Sequence, residues 1–285
     1  MRFVITGARG MLGTDVVEAL PGRETLALGR NDLNITDLES VRAVIRAGDV
    51  IINCAAYTQV DDAEANEDAA YAINAVGVKN LAIAAKQVGA KLITVSTDYV
   101  FAGNDSSPYS ESELRAPISA YGRTKAAGEE FALAEHPLGT SIVRTAWLYG
   151  KNGANFAQTM LNLASSKETW SVVDDQRGQP TWTRDLAEQI VRMVDADAPA
   201  GIYHGTNSGE TTWFGFAQAV LEQAGLDPER ITSTDSSQFV RPAPRPAYSV
   251  LGHDQWAAAG MKPMRPWREA LHEAFEAGVF AREIT

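Results

Sequence analysis

The sequence predicts an α/β protein built around a parallel sheet that carries helices on both faces. Along the first half of the chain, short apolar runs alternate with longer helical patterns. The apolar runs are nearly continuous, which is typical of strands covered on both faces. A glycine-rich turn follows the first run and leads directly into a helical pattern. Because crossovers between parallel strands are right-handed, we expect the sheet to be doubly wound.

Five strands and four helices are expected in the first half of the chain. The strands are predicted over 2–6, 25–28, 49–53, 91–95 and 140–144, and the helices over 11–20, 36–47, 69–88 and 121–135. The segment Thr36-Asp37-Leu38-Glu39 has the pattern of a capping box, with Thr36 capping the second helix and Glu39 reaching back to it.

The second half is less regular and is expected to divide between the sheet and a smaller domain. Helices are predicted over 155–165, 183–194, 211–224 and 266–277, and strands over 169–173 and 201–204. No linker separates the halves. We therefore expect an NAD(P)-binding domain over 1–150, its sheet extended by 166–206. The remaining segments, 151–165 and 207–285, would form a smaller C-terminal substrate-binding cap domain.

Composition excludes several classes of protein. The 285 residues carry a formal net charge of −11, whereas a general phosphate-backbone binder would be basic, so no nucleic-acid partner is expected. The single cysteine, Cys54, allows no intrachain disulfide and predicts a reducing, cytoplasmic location. Neither a signal peptide nor a membrane-spanning run is apparent. The four histidines show no metal-ligand spacing, and no metal site is predicted.

The glycine-rich turn predicts a dinucleotide site on a Rossmann sheet. Gly7, Gly10 and Gly13 are spaced so that the first allows a tight turn and the second lets a pyrophosphate approach the backbone. Free N–H groups at the start of the next helix, around Met11 and Leu12, would then face the phosphates. The spacing alone is weak evidence, but its place between a strand and a helix is the context that the motif requires.

The end of the second strand usually selects the cofactor. An acidic residue there binds the ribose 2′-hydroxyl, whereas an arginine accommodates a 2′-phosphate. Arg30 therefore favours NADPH, and Asp32, two residues later, leaves NADH open.

Tyr121 and Lys125 are candidates for proton transfer. Their spacing of four places both side chains on one face of a helix. A neighbouring ammonium would stabilise the phenolate and lower the tyrosine pKa from about 10, so that Tyr121 could supply a proton as a hydride reaches a carbonyl carbon. Ser96 and Thr97 end the fourth strand, and either hydroxyl could bind the carbonyl oxygen.

Six further segments, taken together in this order, resemble the dTDP-4-dehydrorhamnose reductase family of the extended short-chain dehydrogenase/reductase superfamily. They are Ala55-Ala56-Tyr57-Thr58-Gln59-Val60-Asp61, Ser96-Thr97-Asp98-Tyr99-Val100-Phe101, Tyr121-Gly122-Arg123-Thr124-Lys125, Arg144-Thr145-Ala146-Trp147-Leu148-Tyr149-Gly150, Asp175-Gln176-Arg177-Gly178-Gln179-Pro180-Thr181 and Gly201-Ile202-Tyr203-His204. The resemblance extends over nearly the whole chain. It implies reduction of the C4 keto group of a nucleotide-linked 4-keto-6-deoxyhexose, giving dTDP-L-rhamnose.

The resemblance also implies roles for individual residues. Tyr121 matches the proton donor, Lys125 its partner and Thr97 the hydroxyl on the reacting oxygen. Cofactor contacts are implied for Gly7, Gly10, Met11, Leu12, Gly13, Arg30, Asn34, Ile35, Ala55, Ala56, Tyr57 and Thr58, besides Tyr121 and Lys125. Substrate contacts are implied for Thr97, Asp98, Tyr99 and Trp147.

Departures from the family pattern leave the cofactor preference, the magnesium site and the oligomeric state open. Asn34 stands where members often have aspartate, and Arg30 stands where at least some members have it. Both departures bear on the choice between NADPH and NADH. Some members dimerise through magnesium held by glutamates, one of which is replaced by Asp15 here. Magnesium therefore stays uncertain, and the protein could be a monomer or a homodimer.

The substrate diphosphate would need cations from the cap. Guanidinium offers paired donors that suit phosphate, and the candidates in the second half are Arg177, Arg241, Arg245 and Lys262. We favour Arg245. Two alternative functions remain: a reductase or epimerase of another nucleotide sugar, and a non-catalytic regulatory subunit of the same fold. The presence of Thr97, Tyr121 and Lys125 argues against the second.

Overall fold

The computed structural model describes residues 1–280 and contains twelve strands. They are β1 Arg2–Thr6, β2 Thr25–Leu28, β3 Asp49–Asn53, β4 Lys91–Thr97, β5 Thr140–Thr145, β6 Leu148–Tyr149, β7 Trp170–Val173, β8 Arg177–Gly178, β9 Thr181–Trp182, β10 Gly201–His204, β11 Thr211–Thr212 and β12 Ile231–Thr234.

Eleven α-helices connect and cover these strands in the described part of the chain. They are α1 Met11–Glu18, α2 Leu38–Val44, α3 Val60–Ala63, α4 Glu67–Tyr71, α5 Val78–Val88, α6 Ala120–Glu135, α7 Phe156–Ser166, α8 Thr183–Asp195, α9 Trp213–Gln223, α10 Asp254–Ala258 and α11 Trp267–Glu276. A π-helix at Ala72–Gly77 joins α4 to α5, and short 3₁₀ turns lie at Asp98–Val100, Pro228–Arg230 and Ser236–Gln238. Within residues 1–280, no helix is long and apolar enough to cross a membrane.

Six parallel strands form the central sheet in the order β10-β5-β4-β3-β1-β2. The predicted doubly wound α/β fold is thereby confirmed. The strand order reverses direction at β1, which lies between β2 and β3. The carboxyl ends of β1, β3 and β4 consequently border one crevice, the place where open parallel sheets bind ligands.

Hydrophobic cores flank the sheet, and a separate core builds the second lobe. One face of the sheet packs on α1 and α8, and the other on α2 and α5. The second lobe is rich in aromatic side chains, including Tyr149, Trp182, Phe216 and Trp267. Because large rings bury much apolar area each, this small lobe has a core of its own.

The segment 166–206 divides between the two lobes. β10 pairs with β5, aligning Gly201 with Ser141, and so occupies the open edge of the sheet. β7 instead pairs with β12, aligning Trp170 with Ile231, in a two-stranded parallel sheet of the second lobe. The expectation that the whole segment extends the central sheet is therefore wrong for β7, whose buried Trp170 packs into the second core.

The C-terminal region also returns to the first lobe before the chain reaches α11. Trp256 on α10 is fully buried in the first core, where it packs on Tyr203. Its indole Nε1 donates a 2.7 Å hydrogen bond to the carbonyl oxygen of His204 on β10. Hence 207–280 is not a continuous cap segment, and residues 281–285 lie outside the described residues.

Two local expectations are corrected by the structure. Asp37, not Thr36, caps α2, because its side chain accepts from the Glu39 N–H while the Thr36 hydroxyl donates to Asn34 Oδ1 at 2.8 Å. The helix expected over 69–88 begins at Glu67 and is interrupted by the π-helix. Such π-turns are frequent at functional sites.

Candidate active site

The glycine loop forms a tight cradle between β1 and α1. Gly7 has φ +68°, and a Cβ there would lie 2.5 Å from the Ala55 nitrogen. A Cβ on Gly13 would lie 2.2 Å from the Gly7 carbonyl oxygen. Both positions therefore need glycine. Gly7 is needed for the turn and its contact with the loop after β3, and Gly13 is needed so that α1 can lie against the glycine loop.

The amino end of α1 is open to a ligand. The helix begins after Gly10, which is exposed and has no side chain that could cover the first N–H groups. Met11 is half-buried and Leu12 is anchored in the core, so the helix end is held firmly. An anion placed here would meet free N–H donors and the positive end of the helix dipole. The cradle therefore suits a pyrophosphate.

Asp32, the acidic candidate for binding the cofactor ribose after β2, already has hydrogen-bond partners. Asp32 Oδ2 accepts from the Gly29 N–H at 2.8 Å and from Arg9 Nη2 at 3.0 Å. The adjacent Arg30 is exposed. The Asp32 carboxylate is thus turned back onto its own loop and paired with Arg9, while the exposed Arg30 is adjacent in sequence, an arrangement that suits a phosphate better than a ribose hydroxyl.

The next cofactor candidates differ in their surroundings. Asn34 is exposed, and its Oδ1 accepts from the Thr36 N–H and hydroxyl at 3.1 and 2.8 Å. Ile35 is buried against Gly77 of the π-helix, where a Cβ would lie 2.6 Å from Ile35 Cδ1. Asn80 fixes this turn by donating to the Ile35 carbonyl oxygen at 3.0 Å. The side chain of Asn34 is left at the crevice surface.

The loop after β3, comprising Ala55, Ala56, Tyr57 and Thr58, is held by one buried amide that the sequence did not single out. Asn74 Oδ1 accepts from the Tyr57 N–H at 2.8 Å, and its Nδ2 donates to the Tyr57 carbonyl oxygen at 3.1 Å. The same Nδ2 lies 3.1 Å from the Thr124 hydroxyl on α6. Asn74 thereby connects the cofactor loop to the helix that carries Tyr121 and Lys125.

Tyr121 lies in the first turn of α6, beside the end of β4. Ser119 caps the helix by accepting from the Gly122 N–H at 3.1 Å, and Glu64 accepts from the Ala120 N–H at 2.7 Å. The Tyr121 ring packs edge-on against Tyr99, with centroids 5.7 Å apart. These contacts determine where the phenol points.

The structure distinguishes between the two candidate hydroxyls. The Thr97 hydroxyl lies beside the Tyr121 phenol and lowers its pKa, and it donates to Asp98 Oδ1 at 2.9 Å. Ser96 instead donates to Glu129 Oε1 at 2.5 Å, deep beneath the site. Only Thr97 therefore lies where it could meet the same carbonyl oxygen as Tyr121.

The expected lowering of the Tyr121 pKa is wrong for this state of the protein. Burial raises the pKa of Tyr121 well above its ordinary value, and the Thr97 hydroxyl opposes this only in part. The Lys125 ammonium points instead to the carbonyl oxygen of Val95 on β4, at 2.6 Å. Because a dry environment disfavours the phenolate, Tyr121 is held in its protonated form, as a proton donor must be.

Asp98 has one carboxylate oxygen without a partner. It is 2% exposed, and its Oδ2 has no hydrogen-bond partner among residues 1–280. Burial raises the pKa of Asp98 to about 6, against the effect of the nearby Ser249 and Thr97 hydroxyls. A buried polar atom left unpaired is costly, and a ligand hydroxyl would satisfy it.

The second lobe places an aromatic pair and an arginine at the crevice. Trp147 has φ +46° and stacks on Trp213 with ring centroids 3.6 Å apart. A positive φ in a bulky residue is strained and is typical of functional sites. Arg245 Nη2 lies 2.9 Å from Asp61 Oδ1, across the lobes. Trp213 gave no signal in the sequence beyond its apolar helical pattern.

Two of the other charged candidates lie against carboxylates. Arg177 forms a 3.0 Å ion pair with Glu210, and Arg241 lies 4.0 Å from Asp61. Asp15 is buried, and burial raises the pKa of its carboxyl. Across residues 1–280, no cluster of three or more His, Cys, Asp or Glu side chains is arranged to hold a metal ion.

Comparison with known proteins assigns the family. A model described as the RmlD substrate binding domain matches residues 1–279. The chain belongs to the RmlD family. This confirms the resemblance found in the sequence. A dTDP-4-keto-6-deoxy-D-glucose reductase of Streptomyces niveus is 48% identical to this RmlD-family chain over 278 residues, covering 96% of each chain. A dTDP-4-dehydrorhamnose reductase of Streptomyces griseus is 47% identical over 284 residues, covering 97% of this chain and 93% of the relative.

A solved structure has nearly the same fold as this member of the family. The dTDP-4-dehydrorhamnose reductase of Bacillus anthracis, determined in complex with NADP, superposes with a TM-score of 0.93. It is 40% identical, and the match covers 97% of this chain and 99% of the other. The likeness therefore extends over both lobes and not over the sheet alone.

We predict that Gly13→Ala weakens NADPH binding by at least about tenfold, because the new methyl group would displace the Gly7 carbonyl and distort the cradle. Fluorescence titration with NADPH measures this. Gly201→Ala is the matched control, since a Cβ there has no neighbour within 4 Å. Equal NADPH affinity in folded Gly13→Ala and wild-type protein would remove the loop from the cofactor site.

Proposed function

We propose that this protein uses NADPH to reduce the C4 keto group of dTDP-4-dehydro-L-rhamnose, giving dTDP-L-rhamnose. The observation that carries the proposal is that Thr97 ends β4 beside Tyr121 of α6, at the same carboxyl edge of the parallel sheet as the open amino end of α1. Membership of the RmlD family supports the same reaction. The relatives named above are both reductases of dTDP-linked 4-keto sugars.

The chemistry follows from the state of each side chain. The bound reduced nicotinamide supplies a hydride for C4. Tyr121 gives its proton to the carbonyl oxygen, so that an alcohol and not an alkoxide is formed. Thr97 binds the same oxygen as negative charge develops on it. Burial keeps the Tyr121 proton in place until substrate arrives, and excludes water that would compete for the oxygen.

The residues that would contact the cofactor begin at the glycine loop and continue along the crevice. Gly7, Gly10 and Gly13 leave room for the pyrophosphate, with the N–H groups of Met11 and Leu12 above it. Arg30, assisted by Arg9, receives the 2′-phosphate. Asn34, Ile35 and the loop Ala55-Ala56-Tyr57-Thr58 line the adenosine side of the crevice. Lys125 would hold the nicotinamide ribose, its ammonium exchanging the Val95 carbonyl for a ribose hydroxyl.

The substrate would lie between the lobes. Asp98 offers its unpaired oxygen to a sugar hydroxyl, and Tyr99 borders the same wall. Trp147, braced by Trp213, provides an apolar surface for the sugar. Arg245 would bind the diphosphate, exchanging Asp61 for phosphate oxygens.

Other properties of the protein belong to the same proposal. Residues 1–150 with 201–204 would bind the cofactor, and 151–165 together with most of 207–280 would close over the sugar. The lone Cys54 agrees with a cytoplasmic location. The protein would act as a monomer or homodimer.

Reduction of another 4-keto sugar is the strongest alternative. The Streptomyces niveus relative, named for dTDP-4-keto-6-deoxy-D-glucose, is as similar as the rhamnose enzyme. Both activities would use the same proton donor, so the difference would lie in the wall formed by Asp98, Trp147 and Trp213.

A substrate panel tests the reaction. We predict that NADPH absorbance falls when dTDP-4-dehydro-L-rhamnose is added, and that the product is dTDP-L-rhamnose. Comparison with dTDP-4-keto-6-deoxy-D-glucose, each with NADPH and NADH, distinguishes the alternatives by kcat/KM. Folded protein that oxidises neither cofactor with any 4-keto sugar would exclude the enzymatic proposal.

Tyr121→Phe tests the proton donor. Loss of a positioned general acid should lower kcat by roughly 10²–10⁴-fold, while NADPH affinity stays within about twofold of wild type because the aromatic ring remains and only the hydroxyl is lost. Tyr71→Phe is the control, since Tyr71 lies on α4 with its ring against Phe131. Unchanged turnover in Tyr121→Phe would remove this residue from the mechanism.

Arg30→Ala tests the choice of cofactor. Removal of the guanidinium should raise KM for NADPH at least about tenfold, with little change for NADH, because only NADPH carries the 2′-phosphate. Arg268→Ala, an exposed arginine on α11, controls for the change in net charge. Equal effects on both cofactors would reject the assigned role.

A further inference from the structure

A buried ion pair lies directly beneath the catalytic residues and takes no part in the chemistry above. Glu129 on α6 and Arg144 on β5 are each 1% exposed. Arg144 binds the carboxylate with both arms, Nε to Oε1 at 2.9 Å and Nη2 to Oε2 at 2.8 Å. This geometry is the strongest arrangement for such a pair.

Neighbouring elements fix the pair further. Ser96 on β4 donates to Glu129 Oε1 at 2.5 Å, and Arg115 Nη1 lies 3.3 Å from Oε2. The Arg144 guanidinium also lies over the Phe101 ring, 4.8 Å from its centroid. Glu129 is therefore held from three directions and has little freedom to move.

Stability alone does not account for this pair. Removing two charges from water costs several kcal/mol per ion, and a well-packed apolar pair is often as stable. Its location is more informative. Glu129 follows Lys125 by four residues on α6, so both side chains lie on one face of the helix. Lys125 donates to the carbonyl oxygen of Val95, and the next residue on β4, Ser96, donates to Glu129.

We propose that Glu129 is a positioning residue that keeps the buried Lys125 ammonium charged and directed at β4, with Arg144 and Ser96 holding its carboxylate in place. Burial by itself drives a lysine towards the neutral amine. A fixed carboxylate one helical turn away opposes this, and the closed network prevents the carboxylate from turning to solvent.

The electrostatics of Lys125 agree with this arrangement. Burial lowers the pKa of Lys125 to about 8, while the charge of Glu129 raises it. Cys54 also faces Lys125, but burial raises the thiol pKa to about 12, so it is neutral. Without Glu129, burial would act unopposed and Lys125 would lose its proton at a lower pH.

The other titratable side chains of α6 and its neighbouring elements have partners of their own or are neutral. They are Tyr121, which is neutral, Asp98 bonded to Thr97, Glu64 bonded to the Ala120 N–H, Glu67 paired with Arg123, and Arg144 and Arg115, which bind Glu129. Glu129 is thus the carboxylate whose charge acts on Lys125.

Direct titration of Lys125 tests the inference without substrate. The chain has seven lysines, so ¹⁵N NMR of the side-chain amines resolves them, and Lys125→Met assigns the signal. In Glu129→Gln, the titration midpoint of Lys125 should fall by about one pH unit or more, which is a tenfold loss of charged amine above the midpoint. Glu130→Gln, the exposed neighbour on α6, should leave the midpoint unchanged. An unshifted Lys125 in folded Glu129→Gln overturns the inference.

Kinetics provide a second readout, which depends on the proposed reductase function. The alkaline limb of the kcat/KM profile for Glu129→Gln should move to lower pH by the same amount, with near wild-type activity at the acidic end. A uniform loss at every pH, with the limb in place, would indicate a purely structural role and would overturn the inference. Absence of any ketoreductase activity in wild-type protein would instead reject the proposed function and leave the NMR result standing.

A double variant covers the case in which Glu129→Gln fails to fold because Arg144 is left unpaired. Glu129→Gln with Arg144→Gln replaces the ion pair by two amides that can hydrogen-bond to each other. Lys125 should again titrate at a lower pH than in wild type. A midpoint equal to that of wild type in the folded double variant contradicts the role given to Glu129.

Discussion

The close approach of α6 to the end of β4 is the constraint on which the site depends. Gly122 makes it possible, and Gly128 lets the same helix lie against the π-helix. A Cβ on Gly122 would lie 2.3 Å from the Tyr99 carbonyl oxygen, and one on Gly128 would lie 2.1 Å from that of Asn74. Any larger side chain would force α6 outwards, since backbone atoms cannot yield as a flexible side chain can. The donor Tyr121 would then move away from Thr97, and a displacement of about 1 Å in such a site can cost 10²-fold in rate.

The same close packing buries the two titrating groups of the site. Burial shifts their pKa values in opposite directions, raising that of Tyr121 and lowering that of Lys125. The phenol of Tyr121 is driven towards its neutral, protonated form, which suits a proton donor. The amine of Lys125 is driven towards its neutral form as well, which does not suit a residue that acts through its charge. One low-polarity environment therefore cannot keep both Tyr121 and Lys125 protonated. A fixed negative charge beside only one of them, as Glu129 is beside Lys125, resolves the conflict.

Much of the fold could be predicted from the sequence because its strands are continuous apolar runs and its glycines stand between a strand and a helix. What could not be predicted depends on partners distant in the chain. Nothing within 170–173 indicates whether that strand joins β5 or β12, and two-residue strands such as β8 exist only through their pairing. The spacing of Tyr121 and Lys125 predicted that both lie on one helix, α6, since helical periodicity is local. The role of Asn74 was hidden because it arises where a π-turn meets both the loop after β3 and α6.

The contact between the lobes sets a further condition on substrate binding. Asp61 lies on α3 in the first lobe, yet it accepts from Arg245 at 2.9 Å and from the Ala243 N–H at 3.2 Å. A diphosphate that recruits Arg245 must therefore displace a carboxylate, and only the difference between the two interactions adds to affinity. Asp61 keeps a backbone partner after such an exchange, so the loop around Ala243 stays attached while the guanidinium turns. The contact can thus hold Arg245 in reach of the crevice before substrate arrives, which lowers the entropy lost on binding.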